Sequence, residues 1–140
     1  SAFYVRLNLS GETRLDAQGI KILCTVTDFF EKTEKIPFQF AIKYDMIKNH
    51  TVAVRSRRPG DTIFRGTHRA SLKKLFIDRK IPRHLRGTLC VFESEGKILA
   101  VEGIGTASDC RPLAGEPALI IQIEKEEMHH ATRHRARSDH

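Results

Sequence analysis

The sequence predicts an α+β fold, mainly β, with an antiparallel or mixed sheet and one or two short helices. Three observations lead there. Short β-rich runs with period-two alternation recur along the chain, a stretch from Ser71 to Lys80 places apolar residues at helical spacing, and Pro and Gly punctuate the gaps. At 140 residues and 40% hydrophobic, the chain can bury one real core but not two. One domain is expected over residues 1–125. A basic, His-rich tail, 126–140, is expected to be disordered, because it offers almost nothing apolar to pack.

Taken in order, Phe3 to Leu9 alternates and reads as a strand, Ile20 to Val26 as a second, and Phe38 to Tyr44 as a third that begins just after Pro37. Thr51 to Arg57 is the fourth. Its alternation turns Val52 and Val54 one way and Arg55 and Arg57 the other, which predicts two guanidiniums on a solvent face. Arg58-Pro59-Gly60-Asp61 is a turn, since Pro presets φ at its second position and Gly accepts the positive φ of a type II turn at its third. A loop carrying Arg65 and Arg69 follows. Ser71 can cap a short helix whose Leu72, Leu75, Phe76 and Arg79 share one side, leaving Lys73, Lys74 and Lys80 on other faces. Pro82 ends that helix and opens a second basic turn with Arg83, His84 and Arg86, stopped by Gly87. Leu89 to Phe92 and Ile98 to Val101 flank a hairpin loop at Glu93–Gly96, Gly103-Ile104-Gly105 reads as a bend, and Ala118 to Glu124 is the last strand, buried through Leu119, Ile121 and Ile123.

Charge separates sharply along this framework. Residues 1–54 carry a net +1, residues 55–86 carry 11 basic and 2 acidic side chains for a net +9, residues 87–128 carry a net −5, and 129–140 a net +2. One window thus exceeds the whole chain's +7. A segregated block of this kind creates a directional field for phosphate, so nucleic acid is the leading partner class. The competing arrangement is internal neutralisation, with the +9 window folded onto the −5 window.

Other classes find little support. No apolar run approaches the roughly 18 residues that a bilayer span needs, and a cytoplasmic protein is expected. Cys24, Cys90 and Cys110 are an odd set without C-x-x-C spacing and read as buried thiols. The tail's four histidines lack companions that would close a four-ligand zinc site, so no metal is expected. Gly103-Ile104-Gly105 lacks the third glycine and the lysine of a nucleotide loop. With no G-x-S-x-G, P-loop or H-E-x-x-H either, no catalytic residue is assigned.

The strings VRSRRPGDTI (Val54 to Ile63), KKLFIDRKIPRHLRGTLCVF (Lys73 to Phe92) and ILAVEGIG (Ile98 to Gly105) resemble the C-terminal domain of the tRNA(Ile)-lysidine synthetase family. Two positions depart from that family's usual pattern: Cys90 stands where Pro is usual, and Ala100-Val101-Glu102-Gly103 replaces W-V-P-G. The resemblance implies a β-sandwich-like fold with accessory helices, similar to a domain of the tRNA-synthetase β-subunit, and a role in binding tRNA. It also implies that this chain is a fragment. The parent would be an ATP-dependent ligase that attaches lysine to the wobble cytidine of an isoleucine tRNA through an N-terminal domain not present here, with ATP and magnesium bound there and none in this piece.

The candidate RNA-binding residues are Arg55, Arg57, Arg58, Arg65, Arg69, Lys73, Lys74, Arg79, Lys80, Arg83 and Arg86. Arg would grip phosphate in bidentate fashion and Lys would act as a mobile point charge. The expected partners are tRNA and the missing N-terminal domain of the same chain, not a membrane; a homodimer is compatible with the sequence. A free-standing RNA-binding or ribosome-associated module, or a module for an acidic protein, would share the same basic face.

Overall fold

The computed structural model describes residues 2–32 and 36–126. The histidine-rich stretch from 127 onward, with the disorder expected for it, lies outside the described residues. Among the described residues eleven strands run in chain order: β1 (Tyr4–Arg6), β2 (Glu12–Leu15), β3 (Ile20–Thr27), β4 (Gln39–Lys43), β5 (Ala53–Arg55), β6 (Thr62–Arg65), β7 (His68–Ser71), β8 (Val91–Ser94), β9 (Lys97–Val101), β10 (Gly105–Thr106) and β11 (Ala118–Lys125). Helices α1 (Leu72–Asp78) and α2 (Arg83–Arg86) sit between β7 and β8. A five-stranded sheet has the order β1-β5-β8-β9-β10, a four-stranded sheet the order β2-β3-β11-β4, and β6-β7 form a separate hairpin. Every ladder is antiparallel.

The two sheets meet across a core to which β3, β4 and β11 give Ile22, Ile42, Leu119 and Ile121, and the five-stranded sheet gives Val54, Phe92 and Leu99. Phe40 of β4 and Phe92 of β8 touch across it, with ring centroids 5.8 Å apart. Each such side chain contributes about 1.5–3 kcal/mol by leaving water, so the sandwich supplies the rigidity on which the rest is mounted.

The five-stranded sheet is buried on its other face as well. In the ladder Arg55 lies opposite Val91, and Val91 opposite Val101, so these three side chains share the face away from Phe92. All three are buried. The cover comes from residues 56–90, an excursion between the paired neighbours β5 and β8. It contributes Ile63, Leu72 and Phe76 to the core, and β6 lies over β9. Because both ends of the excursion are fastened at one ladder position, its side chains are confined to one lobe of the molecule.

Several expected elements change in detail. The first strand shortens to Tyr4–Arg6, and the third starts at Gln39 because Phe38 takes φ 63° in the turn after Pro37. The expected loop around Arg65 and Arg69 is the β6-β7 hairpin, reversed at Gly66, which has φ 66°. β2 also lacks a counterpart among the expected strands.

α1 ends in a Schellman motif. The Lys80 N–H donates to the Ile77 carbonyl at 2.9 Å and the Ile81 N–H to Phe76 at 3.0 Å, which puts Lys80 in the left-handed region at φ 56°. Glycine or asparagine is the usual occupant, and a lysine there costs on the order of 1 kcal/mol. Lys80→Gly is therefore expected to stabilise the fold by roughly 0.5–1 kcal/mol, the gain being reduced by the greater freedom of unfolded glycine. Urea unfolding of the two proteins checks this; a less stable variant would contradict it.

Candidate nucleic-acid interface

The lobe is locked to the sheet by a buried arginine. Arg55 donates through Nη1 and Nη2 to both carboxylate oxygens of Asp61, each at 2.9 Å, and through Nη1 to the Ser56 carbonyl at 3.0 Å. Its Nε lies 3.0 Å from Glu93 Oε2. The residue is only 4% exposed, which corrects the expectation that Arg55 faces solvent for RNA. Alternation assigned it to a wet face, but that face of β5 is covered by the excursion. Asp61 also accepts the Arg58 N–H at 2.7 Å, while Gly60 takes φ 84°, so the expected turn is real and is tied to the lock.

The other ten candidates lie along the lobe. The Arg57 guanidinium covers the Phe76 ring at 5.8 Å, and Arg58 lies over the Tyr4 ring at 5.6 Å. Arg79 donates to the Gly103 carbonyl at 3.2 Å, and Arg65 reaches the next carbonyl, Ile104, at 3.5 Å, so both converge on the loop after β9. Arg86 donates from Nε to the Ile81 carbonyl at 3.0 Å. Arg57, Arg65 and Arg86 are half-buried, anchored by their stems, and Arg58, Arg69, Lys73, Lys74, Arg79, Lys80 and Arg83 are exposed.

Helix α1 begins as the sequence predicts, with Ser71 Oγ accepting the Lys74 N–H at 3.3 Å. Its charges, however, oppose its own needs. Lys73 and Lys74 stand in the first turn and Asp78 in the last, the reverse of what the helix dipole favours, at a cost of a few tenths of a kcal/mol each. Local helix stability does not explain these lysines.

Internal neutralisation fails for this lobe. Among the described residues, Arg55 is the one member of the eleven in an ion pair. Of the downstream acids Glu93 meets Arg55, while the others that have a partner find it outside residues 55–86: Glu95 beside His50, Asp109 with Lys97, Glu102 with Lys125, Glu116 with Lys43 and Glu124 with Lys21. Apart from the Arg55–Glu93 contact, the −5 window is not neutralised by the +9 window, and the other ten cations of the lobe have no carboxylate partner among the described residues.

The two departures from the family pattern answer each other. The Cys90 N–H donates to Glu102 Oε1 at 2.9 Å, and the Glu102 N–H donates to the Cys90 carbonyl, also at 2.9 Å. Proline at either position would lack its donor. Lys125 completes the arrangement, pairing with Glu102 at 2.9 Å and donating to the Thr88 carbonyl at 3.1 Å.

Burial pushes the Cys24 thiol up to about 11 and Cys110 up to about 12, and raises Cys90 too, so all three stay protonated at neutral pH. No cluster of His, Cys, Asp and Glu among the described residues could hold a metal ion, and no helix among them is long and apolar enough to cross a membrane.

Sequence reading missed two residues on this face. Tyr4 and Arg6 alternate on the lobe's side of β1, opposite Arg55 and Ala53 in the ladder. They lie about fifty residues from the basic window, and only strand pairing brings them to it.

Comparisons with known proteins agree with this architecture. A tRNA(Ile)-lysidine synthase of Streptococcus mutans serotype c is 29% identical over an alignment that covers 54% of this chain and 22% of that protein. The chain therefore spans about a fifth of that relative's length. A solved structure described as the crystal structure of the TILS C-terminal domain superposes with a TM-score of 0.76 at 22% identity, covering 90% of this chain and 98% of that one, and shares its fold. The family model described as the TilS substrate C-terminal domain matches residues 52–123, which takes in β5, the whole basic excursion and most of β11. That match extends over half of the sequence and includes the lobe itself, and the chain belongs to the TilS substrate C-terminal domain family.

Proposed function

We propose that the lobe binds folded tRNA through its phosphate backbone and, within a longer protein, positions isoleucine tRNA while a separate domain uses ATP and magnesium to attach lysine to the wobble cytidine in the cytoplasm. Membership of the family supports a place in tRNA processing. The observation that carries the binding role is the set of ten lobe cations without carboxylate partners among the described residues, beside acids already paired elsewhere. Helical RNA presents phosphates and 2′-hydroxyls across a wide, shallow minor groove, so a rigid basic surface reads its shape more than its base sequence.

The expected result is binding of transcribed isoleucine tRNA with a steep salt dependence. If roughly six phosphates are engaged, log Kd changes with log salt by a slope of magnitude about 5, a figure taken from duplex DNA. Folded tRNA should displace the bound probe far better than a single-stranded oligonucleotide or heparin of equal charge. Equal competition by heparin would instead indicate a surface for any polyanion, including an acidic protein. Equal competition by other structured RNAs would indicate a general RNA-binding module.

A further inference from the structure

Beyond the phosphate-binding lobe, and resting on its reading as an RNA surface, we propose that Tyr4, Arg6 and Arg58 form a stacking site for one unpaired nucleotide. β1 is the edge of the five-stranded sheet, with no strand paired beyond it among the described residues. Tyr4 is 57% exposed there, although its ladder position opposite Arg55 places it beside the buried lock. The Arg58 guanidinium lies 5.6 Å from the Tyr4 ring centroid. That guanidinium extends from a fixed point, because the Arg58 N–H is held by Asp61 at 2.7 Å in a turn anchored to Arg55. Arg6 follows two residues along the strand, on the same face, and is exposed. Neither arginine pairs with a carboxylate among the described residues.

The chemistry suits a nucleotide that has left the helical stack. An aromatic ring and a guanidinium plane each accept a base face, and the two arginines supply donors for the flanking phosphates. Bases inside a duplex are covered by their neighbours and cannot use such a surface. Phe76, the other aromatic ring beneath a lobe arginine, is fully buried and closed to a base. Tyr4 is therefore where the lobe can distinguish an unpaired nucleotide from the duplex beside it.

The test compares a blunt RNA hairpin with the same hairpin carrying a short single-stranded extension, each titrated against the 140-residue chain, Tyr4→Ala and Tyr4→Phe. The extension is expected to tighten binding by roughly tenfold, within the range of one base–aromatic stack. Tyr4→Ala should abolish that gain and Tyr4→Phe should keep it, the gain being read within each protein as the ratio of its affinities for the extended and the blunt hairpin. Tyr4 is exposed, so unchanged melting temperatures are expected to show that the variants fold. A blunt hairpin bound normally with no gain from the extension, or a gain that survives in Tyr4→Ala, overturns the stacking site alone. Failure of every protein to bind either hairpin overturns the RNA reading along with it.

Discussion

Asp61→Ala is expected to cost about 3 kcal/mol of folding stability, in the range seen when one partner of a buried ion pair is removed. The carboxylate takes two hydrogen bonds from Arg55 and one from the Arg58 N–H, all at 2.9 Å or less. Without it the buried guanidinium keeps only Glu93 and the Ser56 carbonyl, and the turn loses its tie. Glu93 keeps the loss near the lower end of that range. Asp61→Asn, which retains an acceptor for Arg58, should fall between the variant and the parent in urea midpoint. Burial alone would raise the Asp61 carboxyl, but the hydrogen bonds from Arg55 and the Arg58 N–H outweigh it and hold the group below its ordinary value. A carboxyl depressed in the folded state stabilises fully above its unfolded value near pH 4, and the contribution disappears as pH falls through the folded value. The parent should therefore lose stability below about pH 4 more steeply than Asp61→Ala. Identical acid limbs would show that the pair contributes nothing.

The second large effect concerns RNA. Lys73→Glu with Lys74→Glu replaces two exposed cations by two anions on the face proposed to meet phosphate, and is expected to weaken tRNA binding by on the order of a hundredfold at low salt. The log-log salt slope should lose about two in magnitude, one for each lysine removed from the contact. Stability should hold or rise slightly, because acids in the first turn of α1 suit its dipole where lysines oppose it. That combination separates a binding surface from a folding determinant. Unaltered tRNA affinity in the double variant would remove the lobe from consideration.

How much of this was legible beforehand depends on whether the signal was local. β3, β8, β9 and β11 are strong alternating or apolar runs, and Ser71 with Leu72 and Phe76 announces α1 from composition and spacing. The β6-β7 hairpin was hidden because its strands are short and half polar, although the Gly66-Thr67 reversal between TIFR and HRAS was available as a cue. Arg55 misled for a physical reason: period-two reading assumes one wet face, and β5 has none. The cation lobe was legible because its members are contiguous in sequence. Tyr4 and Arg6 were not, since their place on the lobe's side of the sheet is set by a ladder that joins positions about fifty residues apart.

The attachment of residues 56–90 between two hydrogen-bonded neighbours makes them a cassette. Lengthening a segment whose ends are already held together carries a small entropic penalty, about 0.6 kcal/mol for each doubling. Provided the Arg55–Asp61 lock and the apolar footing of Ile63, Leu72 and Phe76 are retained, this scaffold could accept insertions and altered charge patterns in one contiguous stretch of gene while its sandwich stays unchanged. Adaptation to a different RNA would then proceed by editing that stretch, with little demand on the rest of the fold.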